Sequence, residues 1–128
     1  MKALLRSGCG IATMIALLAL GTAIQGCSKK QDVGLDTVSF SSAPPELKQR
    51  WDAAGQSAAR KDYLGAATNL IEIFGKAQQL TTEQNDALTQ AWEKLGNQAF
   101  AAANQGDKSA TEAVLRMKQA GIGERRSR

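Results

Sequence analysis

The sequence contains no histidine among its 128 residues and only two cysteines. Histidine is the commonest general base and a frequent metal ligand, so its absence excludes a Ser-His-Asp triad, a Cys-His nucleophile and a Cys/His metal site. Two cysteines are also too few for a disulfide framework. A Ser-Lys or paired-carboxylate enzyme remains open by composition, although no spacing groups such residues. We predict no metal, no cofactor and no catalytic activity.

Two pairs of acidic residues are the strongest argument for an enzyme. Asp52 and Glu93, and likewise Asp62 and Asp107, recur at comparable places in the two halves of the chain. A carboxylate pair supports acid-base catalysis when burial separates the two pKa values. The simpler interpretation is that Asp62 and Asp107 cap helices while Asp52 and Glu93 lie on solvated faces. We therefore predict a non-enzymatic protein.

The body of the chain has no excess of basic residues, although the whole sequence carries a formal net charge of +4. Residues 31–115 hold 7 basic and 11 acidic residues, whereas residues 116–128 hold 5 basic residues and one acidic residue. A nucleic-acid-binding domain would place a basic surface on the folded part, so we predict no nucleic-acid partner. The basic tail favours an alternative structural role, contact with peptidoglycan or anionic lipid through Arg125, Arg126 and Arg128. Its other interpretation is a solvated, frayed terminus.

No apolar run is long enough for a comfortable membrane span. Residues 11–24 form an uncharged run of 14 residues, and a spanning helix needs about 20. Lys2 and Arg6 precede this run, and small residues follow it. That order is typical of a secretory signal peptide. The alternative is a buried helix of the folded domain.

The end of this run, Ile24-Gln25-Gly26-Cys27, resembles the lipobox of bacterial lipoproteins, in which an aliphatic residue and a small residue precede a required cysteine. The resemblance implies cleavage before Cys27, a thioether to diacylglycerol on its sulfur and acylation, for example with palmitate, of its amine. Membrane lipid would then be a partner, with the protein held in the cell envelope. Ser28 suggests the outer membrane or periplasmic face. Cys9 lacks a preceding apolar run and is lost with the leader.

Four segments follow from these boundaries. Residues 1–26 are the predicted signal peptide, 27–43 a lipid-anchored flexible tether, 44–121 a helical domain and 122–128 a basic tail. The tether prediction depends on a polar composition without sustained periodicity. An alternative is that Val38 and Phe40 dock on the domain as a short extended segment.

Helical periodicity dominates residues 44–121, and no strand pattern competes with it. We predict an all-α domain with four helices: Pro45–Arg60, Tyr63–Gln78, Thr82–Asn104 and Lys108–Ala120. Asp62, the Thr81/Gln84 pair and the Ser109/Glu112 pair are the predicted amino-terminal caps, and Gly121 ends the last helix. The predicted buried positions are Leu47, Trp51, Ala54, Ala58, Leu64, Ala67, Leu70, Ile71, Phe74, Leu88, Trp92, Leu95, Ala99, Ala103, Ala110, Ala113, Val114 and Met117.

The first and third helices repeat each other. Residues 47–58, LKQRWDAAGQSA, align without gaps to residues 88–99, LTQAWEKLGNQA, at an offset of 41. A period of this length is typical of helical repeat proteins. The pattern Trp92-Glu93-Lys94-Leu95-Gly96 resembles the opening of a tetratricopeptide repeat. The first unit departs from that pattern at Ala54, and the period differs.

The tetratricopeptide-like resemblance implies that Trp51 and Trp92 are core residues and that Gly55 and Gly96 allow helices to approach closely. An unrelated four-helix bundle with duplicated helices is the alternative. Solenoids usually need about three repeats. Two hairpins are therefore expected to close into a compact four-helix bundle that binds an unidentified protein partner, with homodimerisation as another way to bury the open face.

Overall fold

The computed structural model describes residues 33–122, and within them the chain forms four α helices and no strand. The helices are α1 (Pro45–Ala59), α2 (Tyr63–Phe74), α3 (Thr82–Asn104) and α4 (Lys108–Ala120), with a short 3-10 turn at Ala77–Gln79. The all-α prediction is confirmed. The predicted signal peptide, the predicted lipobox with Cys27 and the arginines of the tail lie outside the described residues.

Helix α2 ends four residues earlier than the periodicity predicts. Gly75 follows its last residue, and the Gly75 N–H donates to the carbonyl of Ile71. Glycine is among the weakest helix formers, so the helix loses support at this position. The chain then tightens into the 3-10 turn and becomes extended at Leu80, which prepares the start of α3.

Side-chain caps begin three of the helices. The carboxylates of Asp62 and Asp107 accept hydrogen bonds from the N–H groups of Gly65 and Ala110 at 2.9 and 3.0 Å. Thr81 and Gln84 form the predicted capping box at the start of α3. The predicted Ser109/Glu112 cap is wrong, because Asp107 begins α4 and Ser109 already lies inside it. These bonds satisfy N–H groups that have no partner within the helix.

Helices α1 and α3 end in the same way. The N–H groups of Asp62 and Asp107 donate to the carbonyls of Ser57 and Ala102, five residues earlier. The preceding residues, Lys61 and Gly106, have φ values of 60° and 90°. This is the Schellman arrangement, in which a left-handed residue closes the helix end. The two hairpins therefore share a turn as well as a helix pattern.

The two turns are 45 residues apart, whereas Trp51 and Trp92 are 41 apart. Helix α3 thus carries four more residues between its tryptophan and its turn than α1 does. Four residues are about one helical turn, so the buried face of the helix keeps its direction. This insertion explains why the second hairpin lengthens without losing its core pattern.

Helix α2 lies at the centre of the bundle, where it packs against α1, α3 and α4, while α3 also packs along α4. Leu47, Trp51, Leu70, Leu88 and Leu95 are about 1% exposed or less. Several fully buried positions are alanines, which allows the helix axes to lie close together: Ala54, Ala67, Ala99, Ala110 and Ala113.

Residues 33–43 are packed on the bundle, so the prediction of a flexible tether is wrong for this part. Phe40 is fully buried and stacks on Trp51, with ring centroids 3.9 Å apart and planes 9° apart. The indole N–H of Trp51 donates to the carbonyl of Asp36 at 3.1 Å. The alternative prediction is that Val38 and Phe40 both dock on the domain. Phe40 does so, whereas Val38 is 75% exposed. The segment turns rather than extends, with the Ser41 N–H bonded to the Val38 carbonyl.

Two ion pairs join α1 to the end of α2. A guanidinium nitrogen of Arg50 lies 2.7 Å from a carboxylate oxygen of Glu72. The ammonium group of Lys76, just after α2, donates a hydrogen bond to the carboxylate of Glu46. The hydrogen bond from Lys76 lowers the pKa of the Glu46 carboxyl below its ordinary value, and the charge of Lys76 adds to this effect. Exposed pairs of this kind contribute little to stability. The core and the caps therefore determine the fold.

The cap geometry predicts the effect of removing either aspartate. Asp62→Ala and Asp107→Ala should each lower the free energy of unfolding by about 1 kcal/mol, because one helical N–H loses its acceptor. Asp62→Asn retains an acceptor oxygen, so its free energy of unfolding should fall by less. Urea denaturation followed by circular dichroism measures these changes. Asp52→Ala, which removes only an exposed partner of Lys48, serves as the control, and an equal loss there would contradict the cap assignment.

Candidate docking surface

The two repeated tryptophans have different surroundings. Trp51 is 1% exposed beneath Phe40, and Gly55 next to it accommodates the side chain of Leu35. Trp92 is 9% exposed and contacts the ring of Phe74 edge-on, with centroids 5.5 Å apart. Each tryptophan therefore meets a phenylalanine from the preceding part of the chain. Residues 33–43 pack over Trp51 of the first hairpin through Phe40, and α2 packs over Trp92 of the second hairpin through Phe74.

A groove runs along one flank of α3, and we call it the α3 groove. Its wide hollow, of about 610 Å³, lies between α3, the end of α2 and the end of α4. Its narrow hollow, of about 450 Å³, lies between α3 and α4. Trp92 and Ile122 line both hollows. From Asn85 to Phe100 the groove extends about 22 Å, at 1.5 Å per helical residue.

The spacing along α3 produces this flank. Asn85, Thr89, Trp92, Gly96 and Phe100 follow one another at intervals of three or four residues, and so they share one side of the helix. The opposite side of α3 faces the amino-terminal segment instead, through Ala87, Gln90 and Lys94. The groove and the docked segment therefore occupy different flanks of the same helix.

Glycine at position 96 shapes the narrow hollow. A Cβ atom placed there would lie 3.3 Å from the terminal methyl of Met117, closer than side chains normally approach. Since Gly96 has no side chain, Met117 lies directly against the α3 backbone. Val114 and Met117, predicted as buried residues of α4, are in fact half-buried and form the wall of this hollow.

Apolar side chains dominate the floor of the groove, and its polar neighbours are already bonded within the chain. The Asn85 amide donates to the carbonyls of Ala77, Leu80 and Thr81, and the Thr89 hydroxyl donates to the Asn85 carbonyl. Glu93 on α3 and Lys118 on α4 are the charged residues that line the groove. This arrangement suits an apolar side chain of a protein partner rather than a polar small molecule.

Phe100 lies at one end of the groove with 57% of its surface exposed. Exposed aromatic residues beside an apolar groove are typical of protein interaction sites. Phe100, Asn85, Thr89 and Ile122 were not predicted as site residues from the sequence. The detectable signal was Phe100 itself, an aromatic residue four positions after Gly96 and away from the stripe of Leu88, Leu95 and Ala99.

The acidic residues that suggested an enzyme have other roles in the structure. Asp62 and Asp107 are helix caps, as the simpler interpretation predicted. Asp52 pairs with Lys48 at 3.0 Å, and Glu93 is an exposed residue of the groove. Within residues 33–122, no group of three or more acidic or cysteine side chains is placed to hold a metal ion.

No helix in the described part of the chain is long and apolar enough to cross a membrane. Comparisons of the chain with protein-family models, curated proteins and solved structures find no match. The lipoprotein and tetratricopeptide resemblances therefore stay predictions.

Proposed function

We propose that this protein is a lipid-anchored lipoprotein of the bacterial cell envelope whose helical domain is a non-catalytic module that binds a protein through the α3 groove. The observation that carries the binding role is the apolar groove around Trp92 with the exposed Phe100 at its end. The anchor is supported by the order of basic residues, apolar run and Ile24-Gln25-Gly26-Cys27.

The docked amino-terminal segment bears on how the domain would be held. If the mature chain begins at an acylated Cys27, the buried Val33 is the sixth residue after the anchor. Six residues span at most about 20 Å. A tether reaching to residue 43 would have allowed almost three times that distance. The proposed anchor thus holds the start of the domain within about 20 Å of the membrane surface.

Several acyl chains on one residue would make this attachment stable, since a single chain binds membranes only marginally. A groove fixed near the membrane meets envelope proteins at a high local concentration, and this compensates for a small interface. An apolar groove of about 22 Å suits a helix of about four turns or a short extended segment of a partner.

Site-specific photo-crosslinking tests the docking role. A photoreactive amino acid replaces Phe100 in the full-length protein, expressed in its native envelope. We expect a discrete, reproducible protein adduct, because position 100 borders the groove. Val38 is the matched control, since it is also a large apolar residue and is 75% exposed, but it does not line the groove. Adducts of equal yield from both positions, or none from position 100, would contradict the proposal.

A further inference from the structure

We propose that the α3 groove binds a second copy of this chain, with the exposed Phe100 of each copy inserted into the wide hollow of the other. This inference deepens the proposed function and depends on it, because it names the partner of the same surface. Its basis is that one flank of α3 carries both an exposed aromatic side chain and an apolar hollow of about 610 Å³.

The positions along α3 are self-complementary. Phe100 lies at one end of the groove and the wide hollow begins near Asn85 at the other end. If two α3 helices cross antiparallel, with a two-fold axis between Glu93 and Gly96, residue 100 of one copy lies opposite residue 89 of the other. Thr89 lines the wide hollow. The same contact then forms twice, as a two-fold interface requires.

The lining of the wide hollow suits a phenyl ring. Ile71, Phe74, Trp92 and Ile122 contribute apolar surface, and two of these residues are aromatic. Aromatic rings favour edge-to-face and offset contacts with one another. Asn85 and Thr89, the polar side chains at this end, already bond to carbonyls of their own chain. An incoming Phe100 would therefore leave the Asn85 NH2 group and the Thr89 hydroxyl with the acceptors they already have.

The charges also favour a second copy. Glu93 on α3 lines the wide hollow, and Lys118 on α4 lines the narrow hollow together with Gly96. A two-fold axis between residues 93 and 96 places Glu93 of one copy opposite Gly96 of the other, in the hollow that Lys118 lines, so that charges of opposite sign lie on the facing surfaces. Residues 33–122 contain 9 basic and 10 acidic residues, a net charge of −1, and net repulsion between the domains is therefore small.

Disulfide trapping tests this arrangement with the full-length protein in cells that have an oxidising envelope. In Thr89→Cys/Phe100→Cys, the antiparallel pairing places residue 100 of one copy opposite residue 89 of the other. Within one chain these residues are eleven positions apart, about 16 Å, too far for a disulfide. We expect a reducible dimer on non-reducing gels. Val38→Cys/Phe100→Cys is the control and should remain monomeric.

Because trapping removes the phenyl ring, light scattering of the unsubstituted, detergent-extracted protein provides the second measurement. We expect two copies per particle, and a dimer dissociation constant at least about tenfold larger in Phe100→Ser, a loss of affinity typical of removing a central aromatic contact. Circular dichroism should show unchanged helix content in this variant. A wild-type protein with one copy per particle, or equal trapping in the control, would overturn the dimer.

Different results would contradict the docking role of the α3 groove and the dimer. If the wild-type protein is a monomer but the photoreactive residue at position 100 captures a different envelope protein, the dimer is wrong and the docking role stands. If capture yields only the dimer, both stand. If neither a dimer nor an adduct forms, both are wrong.

Discussion

Phe40→Ala is expected to lower the free energy of unfolding by about 3–5 kcal/mol, the usual cost of truncating a fully buried aromatic residue. Phe40 has no exposed surface, and its ring lies 3.9 Å from that of Trp51. The substitution removes this stacked contact and leaves a cavity beside Trp51. Small domains are stable by about 5–15 kcal/mol, so this loss is a large fraction of the total.

Urea denaturation of the purified protein, followed by circular dichroism, measures this effect. The matched control is Val38→Ala, two residues away in the same segment, whose side chain is 75% exposed and whose loss should change stability by less than about 0.5 kcal/mol. Phe40→Leu should fall between the two. If Phe40→Ala were as stable as the control, residues 33–43 would not be part of the folded domain.

Most of the helix ends were predictable because they are determined by local chemistry. The capping box at Thr81 and Gln84 begins α3, and Gly121, with a φ of 59°, ends α4. Both are short-range signals that a sequence displays directly. The wrong prediction of Ser109 as the cap of α4 shows the limit of such signals. Asp107 and Ser109 are both good capping residues, and the Schellman turn at Gly106 decides in favour of Asp107.

The amino-terminal segment and the α3 groove were not predictable in the same way, because both depend on contacts between distant parts of the chain. Phe40 is one apolar residue in a polar stretch, and only the position of Trp51, eleven residues later, makes it a core residue. The wide hollow combines residues of α2, α3 and α4, and no local pattern reports how three helix ends meet. Hydrophobic periodicity identifies the buried face of a helix. It does not identify the flank of α3 that the ends of α2 and α4 cover only in part.

The repeat explains why both regions involve tryptophan. Trp51 and Trp92 occupy equivalent positions, and each needs an aromatic neighbour from an earlier element: Phe40 for the first and Phe74 for the second. Repeat proteins cover their terminal units with atypical segments. Residues 33–43 cover Trp51 of the first hairpin. Beside the second hairpin, the groove is the surface that remains uncovered within residues 33–122.

Cys27→Ala is expected to abolish incorporation of labelled fatty acid into the protein and to cause accumulation of the uncleaved precursor. The resemblance of Ile24-Gln25-Gly26-Cys27 to a lipobox implies that the thiol is alkylated before the leader is removed, so a chain without this sulfur should not be processed normally. Metabolic labelling with palmitate in a bacterial host and gel mobility measure the two effects. Mass spectrometry of the wild-type protein should find a modified Cys27 as its first residue.

Cys9→Ala is the matched control, because Cys9 is the other cysteine of the chain and has no apolar run before it. This variant should be labelled and cleaved like the wild-type protein, since the leader is removed together with residue 9. A mature protein that begins at an unmodified Ser28, or that retains Met1, would contradict the lipid anchor. In that case the domain would lose its attachment within about 20 Å of a membrane. The α3 groove would then have to find its partner, or its second copy, without the concentration that a shared membrane surface provides.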